Sequence, residues 1–112
     1  MTQNDAEGNN IALGTGALGG VINGGEYNVA VGNFTLDALT SGEENVVVGY
    51  QAVTALTSGE RNTAVGTDSL VAATTGSNNT GLGMNALSAN TTGNQNTALG
   101  FRSLPKFRME SG

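Results

Sequence analysis

Cysteine, histidine and tryptophan are absent from this chain, proline occurs once, and only four residues are basic. Without cysteine there is no disulfide framework and no thiolate metal site. Without histidine the commonest general base and metal ligand is missing. Asp68 and Ser69 therefore cannot belong to a hydrolase triad, and Ser-Lys chemistry would depend on Lys106 alone. We expect no enzymatic activity, no cofactor and no bound metal. Apolar runs such as Val46-Val47-Val48 are far too short to span a bilayer, and the opening "MTQNDAEGNN" has neither the basic nor the apolar region of a signal peptide. No membrane insertion is expected. A net charge of −5 argues against nucleic acid as a partner. Three Phe and two Tyr are too little aromatic mass for an ordinary compact core in 112 residues, so the core must be built another way.

What the chain has in abundance is glycine and repetition. Asn28, Asn45, Asn62, Asn79 and Asn96 recur every seventeen residues, as do Gly32, Gly49, Gly66, Gly83 and Gly100, and also Gly25, Gly42, Gly59, Gly76 and Gly93. A further N-terminal coil begins near Asn10 with Gly14 and Leu18 in place, but it is one residue longer, most simply through the extra glycine of Gly24-Gly25. Such periodicity marks a solenoid, in which a residue that fits the interior once fits it at every level. The expected fold is all-β, a β-solenoid of about six 17-residue coils over residues 8–104, with an N-terminal tail at 1–7 and a C-terminal tail, cap or anchor at 105–112.

Within a coil, Asn62 to Val65 reads as a short strand, Gly66 as a bend, and Asp68 to Ala73 as a second strand or one helical turn. The Asn column is placed at an inner corner, where stacked amides bond along the ladder. Leu13, Val31, Val48, Val65, Leu82 and Leu99 are always branched aliphatic and are expected to fill the interior. Leu18, Leu36, Val53, Leu70, Leu87 and Leu104 are expected to form its second wall. Alternation then turns Ala12, Ala30, Val47, Ala64, Gly81 and Ala98 outward. None of these six is polar, so a covering partner is expected, and threefold packing of identical chains would bury them continuously.

The segment "NTAVGTDSLVAATTGSNNTGLGMNALSANTTGNQNTALG" resembles the repeat of bacteriophage tail fibre and spike proteins, and is similar to the YadA-type left-handed β-roll head of trimeric autotransporter adhesins. The resemblance spans about residues 8 to 104, although this chain uses longer coils than the adhesin heads. It implies a left-handed β-roll, a homotrimer, and a place on a virion exterior or in surface attachment, made in the host cytoplasm.

Other features have plainer explanations. The doublets Thr40-Ser41, Thr57-Ser58, Thr74-Thr75 and Thr91-Thr92 invite an ice-binding reading, but adjacent extended residues face opposite sides, which favours a structural corner. Glu26, Glu43 and Glu60 would repel one another at ladder spacing, yet the glycine and aspartate pattern of calcium β-rolls is absent, so solvated corner glutamates are expected. "GTGALGG" has phosphate-loop spacing without the following Lys-Ser/Thr. The C-terminal "FRSLPKFRMESG" holds three of the four basic residues. Phe101, Arg102, Lys106, Phe107 and Arg108 are the candidate anchor to other virion proteins, with a cap over the last coil as the alternative. The resulting expectation is a non-enzymatic structural protein of a phage-like particle, forming a short trimeric spike, fibre or capsid decoration. The alternative is a head that binds a glycan or another host-surface ligand, with Tyr27, Phe34 and Tyr50 as its contacts, or an ice binder.

Overall fold

The computed structural model describes residues 9–20 and 23–104; the proposed tails at 1–7 and 105–112 lie outside the described residues. Six three-residue strands recur at the repeat spacing: β1 (Ile11–Leu13), β2 (Val29–Val31), β3 (Val46–Val48), β4 (Thr63–Val65), β5 (Thr80–Leu82) and β6 (Thr97–Leu99). They form one parallel sheet in the order β1 to β6, with Val31, Val48, Val65 and Leu82 in register along one column. Each strand thus pairs with its counterpart one coil away, giving a parallel β-solenoid of five complete turns.

Glycine permits this stacking. At Gly66 the backbone has φ +132°, and an added Cβ would lie 2.6 Å from the Gly83 carbonyl carbon of the next coil. Only a residue without a Cβ lets two coils approach so closely. The arm after Gly66 is neither a second strand nor a helical turn but a run of turns, and no helix occurs among the described residues. The Ser69 N–H donates back to the Gly66 carbonyl at 3.2 Å, while the Leu70 N–H donates across to Ala86 O in the next coil at 2.9 Å. Leu70 can do so because it sits in the left-handed region, at φ 50°, as do Leu18, Leu36, Val53 and Leu87 in their own coils. Left-handed backbone at L residues is costly when isolated, and here inter-coil hydrogen bonds and burial hold it.

The interior corrects the expected assignment of the strand columns. Ala12, Ala30, Val47, Ala64, Gly81 and Ala98 face the core, and all are buried. Leu13, Val48, Val65, Leu82 and Leu99, expected inside, are 36–65% exposed, and Val31 is half-buried. The alternation is right and its phase is reversed. The physical reason is the narrowness of the coil: a methyl at Gly81 would already lie 3.0 Å from Ser69 Oγ and 3.6 Å from Leu70 Cγ on the opposite wall. That wall consists of Leu18, Leu36, Val53, Leu70 and Leu87, all buried, whereas Leu104 is exposed. Leu39, Leu56 and Ala73 add a further buried column, one the sequence reading did not single out.

The buried asparagines form a continuous ladder. Asn62 Oδ1 accepts from the Asn79 backbone N–H at 3.0 Å, and Asn62 Nδ2 donates to Asn45 Oδ1 at 3.0 Å and to Gly76 O at 2.9 Å. The same pattern links Asn10 to Asn28 and Asn28 to Asn45. No buried side-chain nitrogen or oxygen among the described residues lacks a partner. The extra residue of the first coil lies between Leu18 and Asn23, not at Gly24. Leu18 N–H pairs with Thr35 O, the residue before Leu36, so Leu18 matches Leu36 at eighteen residues. Asn23 N–H already pairs with Thr40 O, as Thr40 does with Thr57 O, at seventeen.

Candidate functional site

Because the interior takes the small column, each strand turns its two flanking residues to the outside. One outward column is Ile11, Val29, Val46, Thr63, Thr80 and Thr97, and the other is Leu13, Val31, Val48, Val65, Leu82 and Leu99. Nine of these twelve residues are aliphatic, so the sheet has an apolar outer face as well as an apolar inner one. At about 4.8 Å per step the face is roughly 24 Å long, with its columns about 7 Å apart. It is not uniform. From β1 to β3 both columns are aliphatic, whereas from β4 to β6 threonine replaces one of them.

Beyond the glycine bend, Phe34 and Tyr50 form an edge-to-face pair with ring centroids 6.4 Å apart, and both are exposed. The Phe34 ring rests against Gly16, where an added Cβ would come within 2.8 Å of Phe34 Cδ1. At the seventeen-residue spacing Asn33 shares its repeat position with Tyr50, and Gln51 and Asp68 share theirs with Phe34. Tyr27, also exposed, lies before β2 at a corner, away from this pair in the chain.

Of the glutamate column Glu26, Glu43 and Glu60, Arg61 pairs with Glu60 and also reaches the neighbouring Glu44. Arg61 Nη1 lies 3.0 Å from Glu60 Oε1 and 3.6 Å from Glu44 Oε1, and its Nε donates to Asn78 Oδ1 at 3.1 Å. These side chains are about half exposed, so such pairs contribute little individually. No group of three potential metal-ligating side chains occurs among the described residues. Of the candidate anchor, Phe101 and Arg102 are exposed and in cation–π contact, with Arg102 Cζ 5.5 Å from the ring centroid. Lys106, Phe107 and Arg108 lie outside the described residues.

The outward face replaces the alanine column as the place where a partner could bind, since an interface cannot be built from side chains enclosed within each coil. The corner threonines act structurally: the Thr57 hydroxyl donates to Thr74 O at 3.3 Å and the Thr74 hydroxyl to Thr91 O at 3.3 Å. No family model, curated protein or solved structure matches the chain.

Proposed function

We propose that this chain is a non-enzymatic structural protein of a phage-like virion, a short spike, fibre or capsid decoration. In this reading its coils wind left-handed and three copies assemble through their outward sheet faces. The observation that carries the proposal is the aliphatic outer face running from Ile11 and Leu13 to Leu99. Contiguous exposed apolar surface of this kind marks an interaction site, and a parallel sheet apolar on both sides is covered on both sides. A second copy of the chain is the economical cover, because its own ladder presents the same spacing. Residues 101–112 supply attachment to other virion proteins. The particle itself rests on the resemblance of the repeat to phage fibre and spike proteins.

Light scattering of the purified chain tests the assembly: the expected mass is about three chains. Val48→Glu, on the outward face, should give single folded chains with the parent circular dichroism. A folded, soluble monomer for the parent would remove the basis for the trimer. Antibody labelling of particles in electron micrographs tests the location, and absence of label from the exterior would reject it.

The Phe34–Tyr50 pair favours a second reading, a head that binds a neutral glycan. The two rings offer an apolar platform, and Asn33, Gln51 and Asp68 offer hydrogen-bonding groups for hydroxyls. Under that reading Tyr50→Ala abolishes retention on immobilised glycans while leaving the assembly mass unchanged.

A further inference from the structure

The chain contains fourteen asparagines but only one Asn-Gly step, Asn23-Gly24. We propose that this step is a self-modification site, at which Asn23 loses its side-chain amide to become aspartate or isoaspartate, with water as the only co-reactant. The Gly24 backbone nitrogen attacks Asn23 Cγ, forming a carbon–nitrogen bond, and the side-chain nitrogen leaves as ammonia carrying the proton that the Gly24 nitrogen gave up. The resulting succinimide is opened by water at either carbonyl. Opening at one returns the normal backbone with a new carboxylate; opening at the other routes the backbone through the former side chain.

The structure leaves this step accessible to that reaction. Asn23 and Gly24 are both exposed. A Cβ at Gly24 would meet nothing within 4 Å, so the space beside the Gly24 Cα is open. Gly24 has φ +90°, a conformation that glycine adopts freely and that leaves it room to rearrange. Among the described residues, neither the Asn23 side chain nor the Gly24 N–H has a hydrogen-bond partner. The step is anchored on both sides, however: Asn23 N–H donates to Thr40 O at 2.8 Å, and a Cβ at Gly25 would lie 2.7 Å from Gly42 O.

The repeat supplies an internal control. The register aligns Asn23-Gly24 with Thr40-Ser41, the corner at which the Ser41 N–H is held to Thr57 O at 3.2 Å. At this corner the first coil alone carries an asparagine followed by glycine, where the later coils carry Thr-Ser or Thr-Thr. The ladder asparagines are protected in three ways: Asn10, Asn28, Asn45, Asn62 and Asn79 are buried, their amides are engaged, and each is followed by a β-branched residue. Exposed Asn33 and Asn78 precede Phe and Asn, whose side chains crowd the attacking nitrogen. Asparagine is a thermolabile residue type, and this fold buries its ladder copies while leaving Asn23 exposed beside a glycine.

Prolonged incubation of the folded full chain in mildly alkaline buffer, followed by peptide mass mapping, tests the proposal. Conversion at Asn23 should exceed that at any other asparagine by on the order of tenfold. The product should be a substrate for isoaspartate methylation. Gly24→Ala should reduce conversion at Asn23 to the level of the other asparagines. The double variant Asn23→Thr, Gly24→Ser, which restores the corner of the other coils, should give no dominant site and provides a second test if Gly24→Ala folds poorly. Conversion at Asn23 no faster than at Asn33 or Asn78, or unchanged in Gly24→Ala, would overturn the assignment.

Discussion

Asn62 shows how much one residue type does in this molecule. Its side chain is buried, and it accepts from the coil after it while donating to the coil before it and to Gly76 O. Truncation to alanine would leave the Asn79 N–H, Asn45 Oδ1 and Gly76 O each short of a partner. With a buried unsatisfied group costing about 1–3 kcal/mol and some relief from water at the gap, Asn62→Ala should lower stability by about 2–4 kcal/mol in a denaturant melt. Thr91→Ala, at an exposed corner, should change it by less than about 0.5 kcal/mol. Asn62→Asp gives a test with a pH axis. Aspartate keeps an acceptor towards Asn79 but turns an oxygen towards Asn45 Oδ1 and Gly76 O in place of the amide donor. Burial and these facing oxygens raise the folded carboxyl above its unfolded value of about 3.9. The folded state then holds the proton that the unfolded state releases, so stability falls as pH rises. Relative to the parent, Asn62→Asp should be least destabilised below about pH 4 and progressively more so as pH rises from there.

The strand is the element at which reading and structure part, and the reason lies in three residues. Spacing alone identifies Asn62 to Val65 as a strand, and alternation separates Ala64 from Val65. Bulk alone favours Val65 as the inward residue, because a core ordinarily prefers the larger aliphatic. Asn62 carried the missing signal. An asparagine at an inner corner and the residue two positions on share one face of an extended chain, so a buried Asn62 implies a buried Ala64. The left-handed turns that bring Leu70 inward have no comparable signature, because leucine is not a residue that sequence rules associate with φ near 50°. Leu39 and Leu56 have no signature in the repeat for a related reason: their column continues as Ala73 and Asn90, so it lacks a constant residue type. The reversed phase makes a direct prediction. Ala64→Glu places an uncompensated charge inside the coil and should abolish the folded circular dichroism signal. Val65→Glu places the same charge outside and should preserve that signal while changing the mass seen by light scattering. Loss of fold in both variants would mean that the outward face is needed for folding as well as for association.

For the molecule as a whole, charge is unevenly spread along the sequence. Arg61 is the only basic residue before Arg102, and its charge is engaged by Glu44 and Glu60. The other three, Arg102, Lys106 and Arg108, follow β6, together with Phe101 and Phe107. A solenoid separates its ends, so the exposed Phe101 and Arg102, which follow β6, lie far along the ladder from the glutamates of the first coils. That separation suits shape carried by the repeats and attachment carried by residues 101–112. If residues 101–112 attach the chain to a particle, as proposed, a chain ending at Leu104 should retain its melting temperature and assembly mass, because all six strands and their ladder are intact, but should no longer bind that particle. Charge reversal at Arg102, Lys106 and Arg108 should slow docking most strongly at low salt, where steering is least screened. Surface plasmon resonance against immobilised particles over a salt series separates the two effects. An association rate independent of salt in both the parent and the reversed chain would locate attachment elsewhere, and unfolding of the shortened chain would identify the segment as a cap over the last coil.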